Sequence, residues 1–179
     1  INHQVIFHDI QQSRVEQLSK DRYKATTDVS QAVRDTDVTY IAVPTPTVDD
    51  KIDLSYIASA SEAVGKALKG KNTYHLIVVR STIVPTTTEN LVKPLLEKAS
   101  GKVCGKDIGL CYNPEFITEF DKTTSDKDLK IWYDRNKGEY AETLRVIIGE
   151  FDKKSGDILE ELVKPFVTPI FRVDLKTAE

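Results

Sequence analysis

Methionine is absent from the 179 residues, and the chain opens on Ile1. The sequence therefore reads as a piece of a longer product, or as one whose methionines were replaced by modified residues. Cysteine is scarce: Cys104 and Cys111 are the only two, in no metal-ligand spacing, so no metal is expected. That scarcity excludes a disulfide-stapled scaffold and fits a reducing, cytoplasmic setting, with both thiols as small buried residues. No apolar run approaches the roughly 20 residues of a membrane helix, and no secretory leader is visible, so no membrane partner is expected. Charge of one sign is lacking too. Lys and Arg number 25 against 28 Asp and Glu, a net charge of −3 with no basic tail or stripe. Nucleic acid is thereby excluded as the main partner.

What is present is an ordinary globular mixture, 40% hydrophobic and 30% charged. A chain of this size can bury roughly 70% of its unfolded surface and needs no staples. Compact β-branched runs alternate with helical patterns. Strands are expected at Gln4 to His8, Val38 to Val43, Leu76 to Val79, Ile108 to Cys111, Val146 to Ile148 and Ile170 to Val173. Helices are expected at Ser13 to Leu18, at Val29 to Arg34 behind an Asp28 cap, and from an Asp53 cap to about Leu68. Two more are expected at Pro85 to Ala99 and Ile158 to Phe166. Strands separated by helices, with solid apolar runs rather than strict alternation, predict an α/β fold with a mostly parallel sheet covered on both faces. Residues 121–143 are highly charged and read as an excursion from that pattern.

In such sheets ligands bind beyond the carboxyl ends of the strands. The residues that follow each strand are therefore the candidates. Asp9 ends the first strand, with Arg14 five residues on. A carboxylate there can accept both hydroxyls of an adenosine ribose, or it can serve simply as a turn residue. The glycine-rich phosphate turn that should precede such an acid by about 20 residues would lie before Ile1. In "VPTPT", Val43, Pro44, Thr45, Pro46 and Thr47, two prolines remove backbone donors and stiffen the turn that presents Thr45. In "STIVPTTTE", Ser81, Thr82 and Ile83 end a strand just before a helix start, where hydroxyls and free amides suit an anion or a polarised water. Capping of that helix by Ser81 or Thr87 is the plainer alternative. "NPEFITE" brings Glu115 and Glu119 four residues apart, on one face if the segment turns helically. Paired carboxylates beside a cofactor can divide binding from proton transfer; equally, they can line a solvated loop.

The order of these segments, closed by "VDLKTAE", resembles the UDP-glucose/GDP-mannose dehydrogenase family over about Gln4 to Glu119 and Arg145 to Glu179. "STxxP" together with "NPEF" carries most of that resemblance. It implies a Rossmann-like doubly wound sheet lacking its first βα unit, spanning residues 1–171, with 172–179 starting the inter-domain helix. It implies NAD as cofactor and a UDP- or GDP-sugar as substrate, in a homodimeric intact protein. The implied reaction oxidises one primary alcohol twice, through an aldehyde captured by a cysteine thiolate, to the uronic acid. The nucleophilic cysteine and a catalytic lysine of that family would lie beyond Glu179, so the present chain alone is expected to be inactive. By position, Asp9 and Arg14 would hold the ribose, and Val43 to Thr47 with Ser81 to Ile83 would line the dinucleotide. Thr82 would also orient the hydrolytic water. Glu115 would act in the acid–base or hydrolytic step. Phe116, Ile117, Thr118 and Glu119, with Glu115, would touch the sugar nucleotide, and Glu119 also the cofactor. The family usually reads leucine at Ile117 and glycine at Phe120. A non-catalytic nucleotide-binding module with a partial Rossmann fold is the alternative reading.

Overall fold

A computed structural model describes residues 3–115, 146–165 and 169–179. The 121–143 excursion, Phe116 to Glu119 and Phe166 lie outside the described residues.

The central sheet has five strands in the order β3-β6-β7-β8-β9, built from Val38–Ile41, His75–Val79, Ile108–Tyr112, Val146–Glu150 and Ile170–Asp174. All its pairings are parallel except β7 with β8. Strands β1 (Ile6–His8) and β2 (Lys24–Thr26) form a separate parallel pair. β4 (Thr47–Val48) and β5 (Lys51–Ile52) form an antiparallel hairpin.

Successive residues of β6 explain why the sheet is covered twice. Ile77 and Val79 join a cluster with Ile57, Val64, Leu68 and Leu96, which come from the helices on one face. Leu76 and Val78 join Ile148 and Leu159 on the other. A strand sends alternate side chains to opposite faces, so a run that is apolar at every position must be buried on both. All five residues of β6 and all five of β7 are buried. The first face carries α2 (Val29–Arg34), α3 (Ser55–Leu68) and α4 (Lys93–Ser100); the second carries α5 (Lys153–Val163). Helix α1 (Gln12–Lys20) sits against β2. A final turn, α6 (Leu175–Ala178), follows β9 directly. The helix after the last strand thus opens at Leu175, with Asp174 as its cap, rather than at residue 172.

The Asp28 cap is present, with its carboxylate accepting the amides of Ser30 and Gln31. Asp53 accepts from Ser55 at 2.8 Å, although Leu54 occupies the cap position of α3. Four local expectations are corrected. The helix expected at Pro85 to Ala99 opens at Thr87 and runs on unbroken but not regular: a π-turn covers Thr88–Val92, and the α-helical part, α4, follows from Lys93. Pro94 is the cause, because its nitrogen cannot donate to the Asn90 carbonyl and its ring crowds it. The Lys93 amide reaches back five residues, to the Thr88 carbonyl. Helix α5 begins at Lys153, five residues ahead of Ile158, because Asp152 caps it through the Ser155 amide. β8 continues to Glu150, since its last residues pair with both β7 and β9. Strand β2 and the β4–β5 hairpin carried too few apolar residues to be seen; the hairpin turns at Asp49 and Asp50, both with positive φ as a two-residue primed turn demands.

No helix among the described residues is long and apolar enough to cross a membrane.

Candidate functional site

β3 and β6 run in register, and each ends in a polar loop. β7 lies beside β6 and ends in Asn113-Pro114-Glu115. The three exits are therefore neighbours. Ala42, Val43, Pro44, Thr45, Arg80, Ser81, Thr82 and Glu115 line an open cleft of about 320 Å³ there.

The first wall is fixed by Ser81. Its hydroxyl donates to the Val43 carbonyl at 2.7 Å and accepts the Val43 amide at 2.9 Å. One buried side chain thus replaces the ladder bonds that β3 and β6 would otherwise lack past Ile41 and Val79. Ser81 caps no helix, and neither does Thr87, whose hydroxyl donates to the Val84 carbonyl. The capping alternative fails because the chain makes a tight turn between Ile83 and Thr87, with Thr86 at φ 75°, before any helical turn forms. Ser81 leaves Thr82 exposed at the cleft and Ile83 buried beneath it. Tyr112 bonds the Ile83 backbone, and burial, then the nearby Glu179 carboxylate, raise the Tyr112 phenol.

The opposite wall is held by Asn113, which is almost fully buried. Its backbone amide donates to the Val79 carbonyl and its side-chain amide to the Ile147 carbonyl, each at 2.9 Å. Arg80 donates from Nη1 to Asn113 Oδ1 at 2.5 Å, and its Nε lies 3.4 Å from Glu115 Oε2.

Of the sequence candidates, Val43, Pro44, Thr45, Ser81, Thr82 and Glu115 meet at this cleft. Pro46 and Thr47 lead away from it. The Pro46 carbonyl accepts the Asp53 amide at 2.8 Å, and Thr47 pairs with Ile52 in the hairpin. Asp9 directly follows β1 and Arg14 lies on α1, and neither is among the residues lining the cleft. Asp9 closes its own turn by accepting the Gln11 amide at 2.8 Å, and Arg14 bonds Gln17 along α1. Phe116, Ile117, Thr118 and Glu119 fall outside the described residues. Both cysteines are buried; burial, with Glu97 nearby, pushes the Cys104 thiol up to about 12, and burial also pushes Cys111 up strongly. Neither can supply a thiolate near neutral pH.

Residues 2–167 match the model of the UDP-glucose/GDP-mannose dehydrogenase family, NAD binding domain. The chain belongs to that family. GDP-mannose 6-dehydrogenase of Pseudomonas syringae pv. tomato is 41% identical over 163 residues, 90% of this chain and 34% of that protein. Among solved structures, a ternary complex of GDP-mannose dehydrogenase from Pseudomonas aeruginosa superposes with a TM-score of 0.82 at 33% identity, covering 99% of this chain and 42% of that one. A UDP-glucose dehydrogenase from Pyrobaculum islandicum gives 0.79 at 28% identity, with 98% and 42% covered. The chain thus spans about a third of the curated relative's length. The Rossmann-like α/β architecture expected from the sequence agrees with these neighbours.

Arg80 is the cleft residue that strand-end reasoning passed over. It directly follows the expected strand Leu76 to Val79, and a cation closing "LIVV" is itself a signal that the strand has reached polar surroundings.

Proposed function

We propose that the intact protein containing this chain is an NAD-dependent nucleotide-sugar 6-dehydrogenase that oxidises the primary alcohol of a GDP- or UDP-sugar to the uronic acid. The observation that carries this reading is the meeting of Thr45, Thr82 and Glu115, from three strand ends, at one cleft. The cleft suits a dinucleotide by its chemistry. Its floor is proline-stiffened backbone, and it has a free hydroxyl and a carboxylate within one open depression. NAD would supply the hydride acceptor. Val43 to Thr47 and Ser81 to Ile83 would line it. Asp9, which keeps one carboxylate oxygen outside its own turn, would accept from the ribose, with Arg14 flanking it. Glu115 would move or hold a proton at the reacting end, and Thr82 would orient water. Phe116, Ile117, Thr118 and Glu119 would complete the sugar-nucleotide contacts. The GDP- or UDP-sugar class rests on the relatives' names, and the homodimer on the family resemblance.

The test is a turnover assay of the full-length protein with GDP-mannose and with UDP-glucose. Two NAD reduced per sugar, with the acid as product, is the expected result. One NAD per sugar would place the protein among single-step dehydrogenases. Tight NAD binding without turnover of any nucleotide sugar would favour the non-catalytic module.

A further inference from the structure

We propose that Arg80 is a positioning residue that acts through Glu115, holding its carboxylate in one orientation over the cleft. The inference rests on the reading of Glu115 as the proton-handling group.

Three features point to it. First, Arg80 is anchored at its base. Its amide donates to the Ile41 carbonyl at 2.9 Å, extending the β3–β6 ladder by one bond. The guanidinium therefore starts from a fixed place rather than from a mobile loop. Second, its reach is braced. Nη1 donates to Asn113 Oδ1, while the other end of that amide donates to the Ile147 carbonyl. Both ends of the Asn113 amide are engaged in these contacts, and the residue is 3% exposed. A line of contacts thus runs from β8 through Asn113 and Arg80 to Glu115, across the ends of β7 and β6. Third, Glu115 needs such a support. Its side chain is 44% exposed, and Pro114 removes the backbone donor on its N-terminal side. A glutamate so placed would otherwise sample several rotamers, only some of them facing the cleft.

The energetics decide between a stability device and an orienting one. Ion pairs of this exposure contribute about 0–1 kcal/mol to folding. Arg80 is 33% exposed in its side chain, and the Nε to Oε2 separation is 3.4 Å. The pair is thus too weak to matter for folding, yet it faces the cleft that the candidate chemistry occupies. Arginine suits the task because its planar fork can bind an amide oxygen and a carboxylate at once, which a lysine ammonium cannot do with fixed geometry.

The test is a double-mutant cycle in the full-length protein, using Arg80→Ala, Arg80→Lys, Glu115→Gln and the Arg80→Ala/Glu115→Gln pair. Misplacing a reacting group by about 1 Å can cost ~100-fold in rate. Arg80→Ala should lower kcat toward that limit and leave the NAD dissociation constant within about twofold; any fall in the thermal midpoint should come from the unpaired Asn113 Oδ1 and should persist in the Glu115→Gln background. Arg80→Lys should fall between wild type and Arg80→Ala, and it carries the test if the alanine variant folds poorly. In the Glu115→Gln background, removing Arg80 should have almost no further effect on kcat. Added guanidinium should restore turnover to Arg80→Ala but not to the double variant. Equal effects of the Arg80 change in both backgrounds would overturn the proposal. So would a raised dissociation constant or KM at unchanged kcat, which would mean that Arg80 binds a ligand directly. Wild-type turnover in Glu115→Gln alone would remove the role assigned to Glu115, and this inference with it.

Discussion

The Ser81 hydroxyl both donates to and accepts from the backbone of Val43, and so ties the ends of β3 and β6 together. The same side chain holds the proline-bracketed Thr45 turn beside the Thr82 loop. Replacing Ser81 by alanine would leave two main-chain groups of the half-buried Val43 without a protein partner, at a cost below the roughly 1–3 kcal/mol each of a fully dry site, since water can enter from the open cleft. Ser81→Ala is expected to lower the thermal midpoint of the full-length protein and to weaken NAD binding more than Thr82→Ala does. Calorimetry and a fluorescence titration would measure the two effects. Unchanged midpoint and affinity would show that the corner is held by other means.

His75 opens β6, fully buried at the N-terminal end of that inner strand, away from the cleft. Burial, then the Lys71 ammonium, lower its pKa to about 4, and one ring nitrogen pairs with the Thr39 hydroxyl at 2.8 Å. The unfolded chain protonates this histidine near 6.5. A depressed folded-state pKa contributes stability that is complete above about 6.5 and is lost as pH falls toward 4. At pH 5 the loss should reach about 2 kcal/mol. Denaturation between pH 7 and 5 should show this slope, and His75→Gln should flatten it. An equally steep loss in the variant would assign the slope to other groups.

Arg172, on β9, gathers three carboxylates from two elements. It contacts Glu150 on β8, and Asp157 and Glu160 on α5, while also reaching the Lys153 carbonyl. Lys153 and Arg172 together lower the Asp157 pKa, and the carboxylates raise that of Arg172. Arg172→Met would leave three acids facing one another, with Lys153 as the remaining cation beside Asp157. The variant should be destabilised at pH 7 and should recover part of the loss as pH falls through the carboxylate range, where the repulsion is relieved. A loss independent of pH would mean that Arg172 contributes packing alone.

The two thiols offer a chemical check. Cys104 and Cys111 should resist iodoacetamide in the native protein at pH 8 and react once it is unfolded, because burial holds both protonated. Mass spectrometry would count the adducts. Rapid native labelling of either would contradict its burial.

Much of the site was legible in the residues. Proline cannot continue a ladder, so Pro44 and Pro114 mark where β3 and β7 release their chains. β6 and β7 are buried at every position, which makes them central strands; that β3 lies beside β6 and brings its exit to the same place is a matter of pairing. The role of Arg80 was not legible, because its partners are 33 and 35 residues away and only the pairing of β6 with β7 brings them within reach.

The sequence by itself determined the α/β class, the two covered faces and the order of polar exits, because side-chain periodicity and missing backbone donors are local properties. Tertiary structure alone decided that Ser81 would serve the backbone of Val43 rather than a helix. It also decided that Arg80 would hold Asn113 and Glu115 together. Each of these depends on which strands become neighbours, and no stretch of chain carries that information until the sheet has formed.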